Sequence, residues 1–173
     1  MKVIFLDVDG VLNNQFTFSD ISHEVMFGYG RRVEIEEEKV GFVKEIVDAT
    51  DAKIVLSSTW RCFFFRTSDG IIRPYAEKGY LLKEKLDKYG LEIYDVTGYD
   101  TWGRREEEIK TYIENNGVRD FVIIDDCMDD EYGLYADKTI KTKFYGLHRN
   151  RLGLLETHIP KAIDILNRKV LIK

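Results

Sequence analysis

Residues 2–13, KVIFLDVDGVLN, hold the stretch on which the reading of the fold turns. The run from Val3 to Leu6 is apolar without alternation, as in a strand buried on both faces of a parallel sheet. It stops at Asp7, and Asp9 and Gly10 follow, so a strand end passes directly into two carboxylates and a turn. A D-x-D-G tetrapeptide also opens calcium loops. Such a loop wants an oxygen ligand at 11 and glycine at 12, where this chain has Val11 and Leu12, so calcium is not expected.

Working outward, the same strand pattern returns in KIVLS (53–57), EIYDVT (92–97) and DFVII (120–124), each running into polar residues. Helical spacing fills the intervals. Val40, Val43, Ile46 and Val47 mark a helix over 36–49, and Leu81, Leu82, Lys85, Leu86 and Tyr89 a second one closed by Gly90. Ile109, Tyr112 and Ile113 mark a third over 103–116, ending at Gly117. TIKTKFYG (139–146) reads as a fifth strand with imperfect alternation, and 157–168 as a closing helix with Pro160 in its first turn. Strands and helices in alternation predict an α/β fold: a mostly parallel central sheet with helices on both faces.

A chain of 173 residues corresponds to one domain, here 1–173, with short loop insertions at 13–35 and 60–80. Hydrophobic residues at 44% and charged residues at 33% describe an ordinary globular composition. Cys62 and Cys127 lie far apart, which excludes a disulfide framework and a cysteine-based metal site. No apolar run is long enough for a membrane span, and Asp7 and Asp9 come too early for a signal peptide; a cytoplasmic protein with no membrane association is expected. The net charge of −5 gives no reason to expect a general nucleic-acid binder. It is unevenly spread: Asp137–Lys173 holds nine basic and three acidic residues. That distribution fits either solvated helix faces or an acidic metal-binding region beside a basic rim.

Four polar clusters lie just past four of these strands: Asp7 and Asp9; Ser57 and Ser58; Arg104 and Arg105; and Asp125, Asp126, Asp129 and Asp130. In an open parallel sheet all strand C-termini share one edge, so the clusters are expected to converge there. Taken singly, each has an ordinary explanation, namely a turn, a helix N-cap, a solvated first turn or an acidic loop. Arginines in a helix's first turn are poorly placed against its dipole, which suggests another task. Together, oxygen-only ligands without His or Cys favour Mg²⁺, and a hydroxyl and a guanidinium suit a phosphate group.

FLDVDGVLN (5–13), IVLSS (54–58), a basic residue after the third strand and VIIDDCMDD (122–130) occur in the order in which the haloacid dehalogenase-like phosphohydrolases carry their motifs, and the chain resembles that superfamily. SSTWR (57–61), RREEEI (104–109) and GLLETHIPKAIDILN (153–167) are similar to the small haloacid dehalogenase-like domains related to those of multifunctional RNA-repair proteins. The resemblance implies a three-layer Rossmann-like fold with minimal or no cap, and a Mg²⁺-dependent phosphatase. It implies that Asp7 is the nucleophile that becomes an aspartyl-phosphate and that Asp9 is the general acid and base. Mg²⁺ would be held by Asp7, by the backbone carbonyl of Asp9, and by Asp126 and Asp130 at the family's D-x-x-x-D spacing. Ser57 best matches the phosphate-binding hydroxyl, with Ser58 as the alternative. For the third motif, which is usually lysine, Arg105 fits best, and Lys110 would have to reach back from further along the helix.

Arg61, Arg104 and Ser58 are the expected substrate contacts. Trp60 and Phe63–Phe65 fit either base stacking or core packing, and His148, Arg149 and Arg151 fit either a solvated loop or contacts to substrate anions. The insertions are too short for a large cap, which leaves an open site and admits a phosphorylated nucleotide or polynucleotide end. No obligate protein partner is implied. A small-metabolite phosphatase, a catalytically silent module binding a phosphorylated ligand and a receiver-type phospho-acceptor remain alternatives; the Asp7–Asp9 pair argues against the last two.

Overall fold

The computed structural model describes residues 1–20, 31–98, 104–127 and 133–168. In chain order its elements are β1 (Lys2–Leu6), β2 (Phe18–Asp20), β3 (Arg31–Val33), α1 (Glu37–Thr50), β4 (Lys53–Leu56), β5 (Phe64–Arg66) and β6 (Ile72–Pro74). They continue with α2 (Glu77–Asp87), β7 (Ile93–Val96), α3 (Arg105–Asn116), β8 (Asp120–Asp125), β9 (Thr139–Lys141) and α4 (Ile159–Asn167). Short 3-10 turns link several of them.

Five strands form one sheet in the order β7-β4-β1-β8-β9, and each neighbouring pair is parallel. β1 lies at the centre, which is why its apolar run does not alternate. Ile4 and Leu6 face α1, α2 and α4, whereas Val3 and Phe5 face Ile109 and Tyr112 of α3. All four are fully buried, and each contributes about 1.5–3 kcal/mol of burial. The chain is therefore a three-layer α/β/α sandwich of the Rossmann-like type expected from the sequence.

The helix ends follow local rules. α1 stops where Asp51 adopts φ 54° and donates its N–H to the Val47 carbonyl, and α3 stops at Gly117, φ 60°, which donates to Ile113. α2 starts four residues before the first apolar position used to place it, at Glu77. The expected fifth strand, 139–146, is shortened to β9. Thr142 still donates its N–H to the Asp125 carbonyl, but Phe144 O then accepts from Gln15 N at 3.2 Å and Gly146 O from Gln15 Nε2 at 2.6 Å. The chain thus leaves the sheet to pack against the loop after β1.

The two insertions hold small antiparallel ribbons. β2 pairs with β3, and β5 with β6 in the register Phe64↔Pro74 and Arg66↔Ile72. Among the described residues the first insertion holds a two-stranded ribbon and a 3-10 turn, and the second holds the same together with the first turn of α2. No helix among them is long and apolar enough to cross a membrane.

Candidate active site

Parallel pairing sets the site. Asp7 N donates to Ile124 O at 3.0 Å, Ser57 N to Leu6 O at 3.0 Å and Thr97 N to Leu56 O at 3.1 Å, so the ends of β1, β4, β7 and β8 lie side by side. Val3 and Phe5 point to the α3 side, and so does Ile123. The period of two carries Asp7 and Asp125 to that same side, where Arg105 opens α3. Its Nη1 lies 3.2 Å from Asp7 Oδ1 and 2.6 Å from Asp125 Oδ2. Both carboxylates are almost fully buried, their side chains 4% and 1% exposed.

Asp125 also accepts the Cys127 N–H at 2.9 Å. Carboxylate oxygens of Asp7, Asp125 and Asp126 all lie within 4.8 Å of one another. Burial pushes Asp7 up from 3.8 to about 7, Arg105 opposes that rise, and the Asp125 charge adds to it. Asp126 is pushed up to about 6, by burial first and by Asp125 second. A crowded, oxygen-only cluster that holds its protons this tightly is a fit for a divalent cation, which would relieve the repulsion.

Gly10 makes the approach of Asp126 possible. Its φ is +79°, and a Cβ built there would sit 2.3 Å from the Asp126 carboxyl carbon. The turn is pinned from outside by Thr142 Oγ1, which donates to Gly10 O at 2.6 Å. On the other side of the turn, Asp9 is held at both oxygens: Oδ1 accepts from Asn13 Nδ2 at 2.7 Å and Oδ2 from Trp60 Nε1 at 2.9 Å.

The two serines separate. The Ser58 hydroxyl hydrogen-bonds to Asp7, which favours the carboxylate, and its oxygen accepts from Trp60 N at 3.2 Å as the N-cap of a 3-10 turn over Thr59–Phe63. Ser57 Oγ is buried with no hydrogen-bond partner. An orphaned buried hydroxyl at this strand end is an unmet donor at the sheet edge.

The expected substrate contacts are placed differently from one another. Arg61 is buried beneath the serine loop rather than exposed on it. Its Nη1 donates to Ser57 O at 3.4 Å and Ser58 O at 3.0 Å, and its Nη2 to Glu108 Oε1 at 2.7 Å. Arg61 thus braces the loop against α3, the helix that carries Arg105. Arg104 is exposed and bonded to Glu107 at 2.6 Å, and Lys110 is exposed further along α3, so neither reaches the carboxylates as Arg105 does. Asp129 and Asp130 lie outside the described residues.

Trp60 and Phe64 are buried and Phe65 is exposed, stacked at a tilt on Tyr75. His148, Arg149 and Arg151 are exposed, with Arg149 bonded to Glu36. The sequence places Asp125 in the cluster past the fourth strand without a role of its own; its parity with Ile123 along β8 is the signal that turns it toward Arg105. Asn13 is a participant that the sequence does not mark.

No curated protein and no solved structure matches this chain. Its resemblance to a family is nevertheless extensive. Residues 3–152, from β1 to past β9, match the model of the HAD (haloacid dehalogenase) domain in Swiss Army Knife RNA repair proteins. Every described residue of the carboxylate cluster and its arginine falls inside that span, and the chain belongs to this family.

Proposed function

We propose that this protein is a Mg²⁺-dependent phosphomonoesterase that works through an aspartyl-phosphate on Asp7 and acts on the phosphorylated end of a nucleotide or polynucleotide. The observation that carries this reading is the Arg105 bridge between buried Asp7 and Asp125, with Asp126 alongside. A cation beside the nucleophile is what an anionic carboxylate needs to approach an anionic phosphate.

Asp7, as the carboxylate, attacks phosphorus while the bond from phosphorus to the leaving oxygen breaks, and Asp9 passes its proton to that oxygen. Asp9 then takes a proton from water as the water oxygen attacks the phosphorus of the aspartyl ester. The bond to Asp7 breaks, the carboxylate is restored and inorganic phosphate departs. Arg105 grips a phosphate oxygen in addition to Asp7, and the Ser58 and Ser57 hydroxyls supply further donors. Asp7, Asp125 and Asp126 would hold Mg²⁺, together with the Asp9 carbonyl and Asp130 expected from the family pattern. When bound, the ion supplies charge neutralisation between nucleophile and phosphate.

The substrate class rests on the rim. The loop after β9 is tied to the β1 turn through Thr142 and Gln15 and again through Leu154, whose N–H donates to Val11 O at 2.9 Å. It holds Tyr145 and Leu147 76% and 92% exposed beside Lys143 and Arg151. Aromatic and cationic groups on a fixed loop suit a stacked, charged strand. A phosphate-release screen over aryl phosphates, sugar phosphates, phosphopeptides, nucleotides and oligonucleotides phosphorylated at either end tests the reading. Turnover with Mg²⁺ and preference for nucleic-acid ends are expected; no turnover by folded protein on any ester overturns it. Tyr145→Ala is expected to raise KM about fivefold or more for a phosphorylated oligonucleotide, the loss of one stacking contact. It should leave aryl phosphate turnover unchanged.

Cation binding gives a pH-dependent signature. Asp7 and Asp126 are raised from 3.8 to about 7 and about 6, so between roughly pH 4 and 7 the folded state holds more protons than the unfolded one. Without metal, their contribution to stability therefore falls as pH rises through that window. Mg²⁺ displaces those protons, so its stabilising effect grows as they leave. The rise in Tm on adding Mg²⁺ is expected to be larger at pH 8 than at pH 5; an equal or reversed difference in thermal melts contradicts this assignment of the site.

A further inference from the structure

Trp60 lies three residues past the Ser57 end of the site, and its ring is only 2% exposed. A buried indole must place its N–H somewhere, and this one goes to Asp9 Oδ2 at 2.9 Å. We infer that Trp60 is a positioning residue for Asp9, fixing the carboxyl so that its transferable proton faces the leaving group. The inference rests on the phosphomonoesterase reading above and assigns a determinant of its proton-transfer steps.

The argument comes from donor and acceptor roles. An indole N–H only donates. The other Asp9 oxygen meets the Asn13 amide, whose orientation is set because Asn13 Oδ1 accepts the Gly10 N–H at 3.0 Å, leaving Nδ2 to donate to Asp9 Oδ1 at 2.7 Å. Both side chains that grip Asp9 are therefore donors, and neither can accept a proton from it. When Asp9 is protonated, its O–H must turn away from both donors, and the inferred role of Trp60 is that the direction left to it is the one toward the leaving oxygen. The same two bonds persist when Asp9 is ionised, so the carboxylate does not rotate between its acid and base steps.

The indole is itself held in place. Phe63 meets it edge-on with ring centroids 6.0 Å apart, and Lys78 Nζ of α2 sits over it, 5.4 Å from the centroid. Gly79, the next residue, lets α2 close on the 3-10 turn: a Cβ there would be 2.6 Å from Phe63 O. α2 thereby clamps the turn that presents the N–H, which gives the SSTW run a task in addition to packing.

Trp60→Phe keeps a smaller aromatic ring in the same pocket and deletes the donor. The test is its kcat/KM on phosphate esters graded by leaving-group basicity. General acid catalysis contributes about 10²–10⁴-fold where the leaving oxygen needs a proton. In kcat/KM, which reports the first phosphoryl transfer, the variant is expected to lose about tenfold or more on alkyl phosphates and less than about threefold on a nitrophenyl phosphate. Retained activity on the latter also reports an intact fold. Equal losses on all esters, or none, overturn the inference.

A second measurement does not require turnover. The chain has two tryptophans, so its NMR spectrum holds two indole N–H signals. The signal that disappears in Trp60→Phe is expected to be the one that moves in Asp9→Ala. If that signal stays in place, the contact does not exist and the inference fails, whatever the enzyme does. If it moves but wild-type protein releases no phosphate from any ester, the contact stands; the phosphatase reading fails, and Trp60's proton-positioning role fails with it.

Discussion

Asp7→Asn is expected to abolish phosphate release, by a factor on the order of 10⁴ or more, while leaving the fold intact. Loss of a covalent nucleophile is among the largest single-residue effects in catalysis, because the remaining groups have nothing to act through. Asparagine has nearly the same shape and no negative charge, so the buried cluster with Asp125 and Asp126 becomes less crowded. Thermal stability without metal should therefore hold or rise above pH 7, where wild-type Asp7 carries its charge. The paired measurement of turnover and Tm separates a catalytic loss from unfolding. A variant with a tenth of wild-type activity would place the nucleophile elsewhere.

Replacing Arg105 is expected to have the second largest effect. Arg105→Met removes a cation bonded to both Asp7 and Asp125, with both carboxylates left in place. Breaking one side of a buried ion pair costs about 3–5 kcal/mol when the remaining charge cannot be neutralised. Here it can be neutralised by protonation. Because Arg105 holds Asp7 down, its loss moves Asp7 above about 7, so the destabilisation should be full at pH 8 and smaller at pH 6. Turnover should fall about 10²–10³-fold, as when a charged stabiliser of the transition state is removed, and the acid limb of the pH profile should shift upward. Lys110→Met should change neither, since Lys110 is exposed on α3. The reverse ranking would move the third motif to Lys110.

The fold was readable because its core strands are simple. β1 is apolar on both faces because helices cover both, and such a run ending in acid marks a parallel strand wherever it occurs. The strand expected over 139–146 is longer than β9 because TIKTKFYG, despite its imperfect alternation, carries no local stop signal before Gly146. What ends β9 is a long-range bond, Gln15 to Phe144, which no local pattern records.

The site was legible as a set of strand ends and less so as a set of contacts. Arg61 and Arg105 have the same chemistry and follow strands in the same way. One is buried as a brace on Glu108 and the other faces two aspartates, a difference fixed by where α3 lies. The same holds for Trp60: its aromatic character suggested either packing or a base, and the polar edge of the ring decides its contact with Asp9.

The central claim is that Asp7 carries the phosphoryl group between two chemical steps. Mixing the protein with Mg²⁺ and an excess of a phosphorylated substrate, quenching in acid during turnover and mapping peptides by mass spectrometry addresses it directly. The account predicts one added phosphoryl group on the peptide containing Asp7, absent from Asp7→Asn. Phosphate release with the phosphoryl group on another residue, or with none on the protein at any time, would contradict it.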